Sequence, residues 1–277
     1  MRYVHFLHRG EPTLGVRRAQ GVQVLGNEPL ELLLARGVDL LRYADQAQGP
    51  LVQVEAAAFL PLLRQPPKII CVGLNYAEHT RETAFVQPDY PTFFARLPSS
   101  LTAHNRPLVR PRVSDSLDYE GEMAVVLKSG GRHIREEDAL RHVAGYTLFN
   151  DASVRDYQFK SPQWTVGKNF DDTGAFGPEL VTADELPPGG KGLQIETRLN
   201  GRVVQSANTS DMIFDIASLI ATLSAAMTLQ AGDVIVTGTP AGVGFSREPR
   251  LYLKAGDRVE VTIEGIGTLS NPVIDEA

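Results

Sequence analysis

The 277-residue sequence predicts an α+β, β-rich fold. Three observations predict it. Short apolar segments alternate with period two, as in Val259, Val261 and Ile263 against Glu260, Thr262 and Glu264. Turn residues punctuate them: Asn200-Gly201 is a two-residue hairpin signal, and Ala-Gly-Asp precedes two strands, at Ala231-Gly232-Asp233 and Ala255-Gly256-Asp257. Helical periodicity is sparse beyond residue 65, confined mainly to 136–143 and 210–227.

Taken in order, residues 3–7 and 21–25 read as short strands, and 30–35 and 39–47 as helical stretches. Gln65-Pro66-Pro67 continues neither a helix nor a ladder, so it divides a small N-terminal unit, 1–65, from a body spanning 68–277. In the body, 118–127 is a strand, and 193–199 with 203–205 forms a hairpin across Asn200-Gly201. Residues 234–237 and 259–264 follow as strands. In 210–227, Ile213, Ile216, Ile220, Leu223 and Met227 recur at spacings of three and four, and Ser210 or Asp211 suits the N-cap.

Composition limits the function. Hydrophobic content of 43% and charged content of 22% fit a soluble globular enzyme. A net charge of −6, with Lys and Arg scattered, argues against nucleic acid or an anionic membrane as partner. Cys71 is the one cysteine, so an intrachain disulfide is impossible and a cytoplasmic location is expected. Within Ile69-Ile70-Cys71-Val72 it reads as a small buried hydrophobe. The N-terminus lacks the apolar region of a signal peptide.

The chemistry-bearing feature is Glu120-Gly121-Glu122, with Asn150-Asp151 closing a second apolar run. Strand residues i and i+2 share a face, so Glu120 and Glu122 converge while Tyr119 and Met123 point away. Asp151 at the end of another strand would complete a group of three carboxylates. Such a group repels itself by up to about 4 kcal/mol per close pair at an effective dielectric near 20. It persists protonated, solvated or around a hard cation, Mg²⁺ before Mn²⁺ or Ca²⁺. An isolated Glu-x-Glu also marks the wet face of a strand. His79 and Glu82, at i and i+3, share a helix face if 77–83 is helical, and a carboxylate on one imidazole nitrogen makes the other a better base. The glycines of 238–244 lack P-loop or G-x-G-x-x-G spacing, and no G-x-S-x-G elbow is present.

In this order, Gly73-Leu74-Asn75-Tyr76-Ala77-Glu78-His79, Asp118-Tyr119-Glu120-Gly121-Glu122, Asn150-Asp151, Gly167-Lys168-Asn169, Gly177-Pro178, Asn200-Gly201 and Gly238-Thr239-Pro240 resemble the fumarylacetoacetate hydrolase (FAH) family, in particular its short domain-containing and acylpyruvate hydrolase-like members. The resemblance runs from about Lys68 to Pro272. It implies a mixed β-sandwich roll with a small N-terminal α/β domain. It implies Mg²⁺ (or Mn²⁺) on Glu120, Glu122 and Asp151, and a water-activating dyad of His79 and Glu82. Arg155, Gln158 and Lys168 match residues that stabilise an oxyanion or hold the substrate carboxylate, and Thr239 matches a substrate-contacting threonine. A single helical turn is expected to present Asp151, Arg155 and Gln158 together. Arg96 stands where relatives often carry Lys, and Ala175 replaces a common proline; neither is expected to touch the metal.

The expected activity is hydrolysis of a C–C bond in a 2,4-dioxo acid of the acylpyruvate or fumarylpyruvate type, leaving a pyruvate enolate. Oxaloacetate decarboxylation and 2-oxo-acid isomerisation or hydration use the same enolate and stand as alternatives. A metabolite-binding protein would have no need for the dyad, and a metal-dependent nuclease is disfavoured by the acidic charge. A homodimer is expected from the family resemblance.

Overall fold

The computed structural model describes residues 1–83 and 86–277. Among them, the main sheet runs in the order Leu51–Val52, Gly21–Gly26, Glu11–Arg18, Arg2–His8, Gly174–Thr182, Val143–Asp151, Gly121–Leu127, Val234–Val236, Ile69–Gly73 and Thr92–Arg96. Leu101–Thr102 joins in parallel beside Gly174–Thr182. A second sheet orders Arg202–Asn208, Gln194–Leu199, Arg258–Ile263, Gly267–Asp275 and Leu108–Arg110. The N-terminal strands extend the main sheet, because Arg2–His8 pairs antiparallel with Gly174–Thr182.

The main sheet is buried on both faces. Along Gly121–Leu127, Met123, Val125 and Leu127 join a core with Ile195, Val259, Val261 and Ile263 of the second sheet. Ala124 and Val126 face the opposite way, into a core with Leu30, Leu33 and Leu34 of the helix Leu30–Ala35. Each large apolar side chain so buried contributes about 1.5–3 kcal/mol. Both faces being covered explains why the strand reads as an apolar run instead of alternating.

Several elements follow expectation. The hairpin Gln194–Leu199 and Arg202–Asn208 turns at Asn200 and Gly201, both left-handed (φ 51° and 78°). Others depart from it. The strand expected over 118–127 is two pieces. Leu117–Asp118 pairs with Ser153–Val154 in a separate ribbon, and Gly121–Leu127 enters the main sheet. The helix expected over 210–227 begins at Ile216, capped by Asp215, whose Oδ1 accepts the Ser218 N–H. Asn75 holds the chain before it out of the helix, accepting the Phe214 N–H at its side chain and the Ile213 N–H at its carbonyl. Leu219, Ile220 and Leu223 of this helix pack into the chain's own core. In 136–143, one turn of α-helix, Glu136–Ala139, tightens into a 3₁₀ turn, Leu140–His142, before the strand Val143–Asp151. No helix among the described residues is long and apolar enough to cross a membrane.

Candidate active site

Glu120, Glu122 and Asp151 come together at the end of the central strands. Each offers an oxygen lying within 4.8 Å of the others', and all three residues are buried. Register accounts for this. Phe149 lies opposite Glu122, and two residues on, Asp151 donates its N–H to the Glu120 carbonyl. Opposed residues of an antiparallel pair share a face, so the three carboxylates share the face that carries Ala124 and Phe149. Tyr119 turns away, its hydroxyl donating to the Gly242 carbonyl at 3.0 Å.

Glu120 and Glu122 line a cleft, together with His79, Gln158, Lys168 and Thr239. Lys168 Nζ bridges Glu120 Oε2 at 2.6 Å and Asp151 Oδ2 at 2.7 Å. It stands at the end of the short helix Thr165–Lys168, which packs so closely on Arg155–Gln158 that a Cβ on Gly167 would lie 2.3 Å from the Gln158 nitrogen. Arg155 Nη2 lies 2.6 Å from Glu120 Oε1, and Nη1 donates to Gln158 Oε1 at 2.9 Å. Burial opposes ionisation of Glu120, but Arg155 and Lys168 overcome it and hold the carboxyl below its ordinary range. Glu122 makes no direct ion pair among the described residues, and the nearby Lys168 only partly offsets its surroundings. Burial, reinforced by Asp151 and Glu120, pushes it well above the carboxylate range, although Gly238 N–H donates to Oε2 at 2.5 Å. A centre of three carboxylates, one of them short of positive charge, fits a hard divalent cation.

The helix Ala77–Glu82 places the dyad. His79 Nδ1 lies 2.9 Å from Glu82 Oε1, and His79 is 6% exposed. Glu82 also accepts the Gly242 N–H and the Ser246 hydroxyl at 2.8 Å. Burial would raise Glu82, but hydrogen bonds from His79, Gly242 and Ser246 outweigh it and keep its pKa low. An ionised Glu82 requires the proton on His79 Nδ1, which leaves Nε2 as the basic nitrogen. Thr239 Oγ1 donates to the Gly121 carbonyl at 3.0 Å and accepts from Gln205 Nε2 at 2.8 Å.

One expectation needs correction. Asp151 ends a strand, so Asp151, Arg155 and Gln158 do not share a helical turn; only Arg155–Gln158 is helical. Arg96, expected not to touch the metal, lies one contact behind the carboxylate group: its Nε donates to Asp151 Oδ1. The sequence reading also passed over Asp118 and Gln205. Asp118 Oδ2 accepts from Arg155 Nε at 2.9 Å, and Gln205 Oε1 accepts the Gly121 N–H at 3.0 Å. A signal for Asp118 was present, because Asp118, Glu120 and Glu122 alternate at the period of a strand.

Fold and site together define a β-rich scaffold built around a buried carboxylate centre with a histidine–glutamate pair at its mouth. The chain belongs to the fumarylacetoacetate hydrolase family: the family model described as fumarylacetoacetate (FAA) hydrolase, C-terminal, matches residues 68–274. The mitochondrial oxaloacetate tautomerase Fahd2a of Rattus norvegicus is 38% identical over 288 residues, covering 99% of this chain and 92% of the relative. The fumarylacetoacetate hydrolase of Exiguobacterium antarcticum matches with a TM-score of 0.87 at 37% identity, over 100% of both chains. A maleylpyruvate hydrolase from Sphingobium sp. SYK-6, in complex with manganese(II) and pyruvate, matches with a TM-score of 0.83 at 27% identity, again over 100% of both.

Proposed function

We propose that this protein is a divalent-metal-dependent enzyme that acts on a short 2-oxo acid through its enolate, with keto–enol interconversion of an oxaloacetate-like 2-oxo dicarboxylate as its reaction. The observation that carries the reading is His79, held by Glu82, lining the same cleft as Glu120 and Glu122. The full-length likeness to an oxaloacetate tautomerase supports the choice of reaction.

Glu120, Glu122 and Asp151 would hold the metal, Mg²⁺ or Mn²⁺, which when bound polarises the 2-oxo group and offsets the charge developing on its oxygen. His79 Nε2 takes a proton from C3, and Glu82 stabilises the imidazolium through Nδ1–H. The enol forms when the 2-oxygen gains a proton, for which the Lys168 ammonium stands in the cleft. Gln158 accepts from Arg155 at Oε1, its Nε2 has no hydrogen-bond partner among the described residues, and it is assigned to the substrate carboxylate; Thr239 has its hydroxyl proton committed to Gly121 and can only accept. Arg155, ion-paired with Asp118 and Glu120 and donating to Gln158, acts by holding Glu120.

A second reading, hydrolysis of an acylpyruvate, is favoured by the same dyad, because Glu82-assisted His79 can equally deprotonate water. Assaying the purified protein with Mg²⁺ and with Mn²⁺ on enol-oxaloacetate, acetylpyruvate and fumarylpyruvate tests both. Faster loss of the enol without cleavage of the dioxo acids supports the first reading, and cleavage supports the second. Turnover of none leaves the metabolite-binding alternative standing. For assembly we propose a two-fold dimer, which light scattering checks against the 30.2 kDa monomer mass.

A further inference from the structure

Arg96 is among the most deeply buried large side chains of the chain, and its guanidinium is held on all sides. Nε donates to Asp151 Oδ1, Nη2 to the Ala152 carbonyl at 2.5 Å, and Nη1 reaches Ser100 Oγ at 3.2 Å and Thr173 Oγ1 at 3.3 Å. Its charged carbon lies 5.7 Å from the centre of the Phe149 ring, on the strand that ends in Asp151. The fork is therefore fixed by groups from several separate segments, and Asp151 Oδ1 is fixed by the fork. The other oxygen, Oδ2, meets only Lys168 among the described residues. The geometry points to Arg96 as the positioning residue that makes Asp151 a one-oxygen ligand and so biases the centre toward small cations over Ca²⁺. This rests on the reading of the three carboxylates as a divalent-cation site.

The physical reason lies in the ions. Mg²⁺ demands near-octahedral geometry from single oxygens, whereas Ca²⁺ accommodates six to eight oxygens and readily takes a carboxylate through both. A guanidinium on Oδ1 withholds that oxygen from any cation beside Oδ2. Of the two other carboxylates, Glu122 has Oε2 tethered by the Gly238 N–H, and Glu120 has Oε1 on Arg155 and Oε2 on Lys168, so a cation entering beside Glu120 Oε2 and Asp151 Oδ2 takes the place of the Lys168 ammonium. Lysine at position 96 would keep the charge but not the planar fork, so Asp151 would regain freedom to rotate.

The test is equilibrium binding of the metal alone. Mn²⁺ affinity is read from the spin resonance of free Mn²⁺, and Ca²⁺ affinity from its displacement of Mn²⁺. Both are measured on wild-type, Arg96→Lys and Arg96→Gln protein, with circular dichroism confirming the fold. Arg96→Lys should weaken Mn²⁺ by roughly 10- to 100-fold, the usual effect of removing a ligand's supporting partner. It should weaken Ca²⁺ less, so the preference for Mn²⁺ over Ca²⁺ falls by about tenfold. Arg96→Gln should shift the preference in the same direction. General loosening of the fold would weaken both ions alike. An Arg96→Lys variant that is folded, binds Mn²⁺ and keeps the wild-type ratio overturns the inference and leaves the metal site intact. Wild-type protein that binds no Mn²⁺ overturns the metal-site reading and the inference with it.

Discussion

Asp118 and Arg155 form a buried ion pair in which Nε and Nη2 of the arginine both lie 2.9 Å from Asp118 Oδ2. The same carboxylate accepts the Gly244 N–H at 2.8 Å and the Phe245 N–H at 2.9 Å. One side chain thus joins the segment carrying Glu120, the helix carrying Gln158 and the glycine-rich segment against which Glu82 is docked. Removing it in Asp118→Ala leaves the buried Arg155 charge with Glu120 as its remaining carboxylate partner, at a cost of about 3–5 kcal/mol. Asp118→Asn keeps an acceptor for the N–H groups and should cost less. Urea unfolding of the three proteins measures both, and an Asp118→Ala variant as stable as wild type would contradict the pairing.

The dyad gives a kinetic expectation. His79→Ala should lower kcat by roughly 10²–10⁴, the usual worth of a general base. Glu82→Gln should lower it less, because the imidazole stays in place and loses only the charge beside Nδ1. Acylpyruvate cleavage should suffer more from His79→Ala than oxaloacetate decarboxylation, which needs no activated water. Small and equal losses in all reactions would remove His79 from the role of base.

Metal dependence follows from the carboxylates. EDTA should abolish turnover, with Mg²⁺ or Mn²⁺ restoring it, and Glu122→Ala or Asp151→Ala should be inactive on every substrate. Full turnover by either variant, shown metal-free by elemental analysis, would sink the assignment of the centre.

What the sequence made legible was local in spacing. Glu120 and Glu122 share a face through the two-residue strand period, and His79 reaches Glu82 through one helical turn. The β-rich fold was legible from alternation and from turns such as Asn200-Gly201. Arg96 and its acceptor Asp151 are 55 positions apart, and Asp118 and Arg155 are 37 apart. No periodicity links such pairs, which meet only through the sheet order. The late start of the helix Ile216–Ala226 has the same origin, since Asn75, from a distant segment, takes the backbone of 213–214.

Gly121 is fixed by packing between the two sheets. A Cβ there would lie 2.1 Å from Thr197 Oγ1 and 3.1 Å from Val261 Cγ1, both on strands of the second sheet. Gly121→Ala must therefore either turn the Thr197 side chain or push the sheets apart beside Glu120 and Glu122. Overpacking of this kind costs about 1–3 kcal/mol. The variant should melt at a lower temperature and bind Mn²⁺ more weakly; an unchanged melting temperature would show that Thr197 can yield.

His104 sets an acid limit on stability. Its Nδ1 accepts the Ser270 N–H at 3.1 Å, and its ring meets Phe59 edge-on at 4.8 Å between centroids. Burial, with Arg258 and Arg17 nearby, pushes its pKa down to about 4. A neutral ring in the folded state and an ordinary histidine in the unfolded chain mean that the unfolded state binds more protons between these values. Stability from this group is therefore complete above about pH 6.5 and is lost as the pH falls toward about 4. The loss is about 1–3 kcal/mol, discounted because the ring is partly exposed. In His104→Asn the side-chain oxygen can still accept from Ser270 but does not titrate. Urea midpoints at neutral pH and near the acid end of that window should fall more steeply for wild type than for His104→Asn, and parallel slopes would show that His104 is not the group responsible.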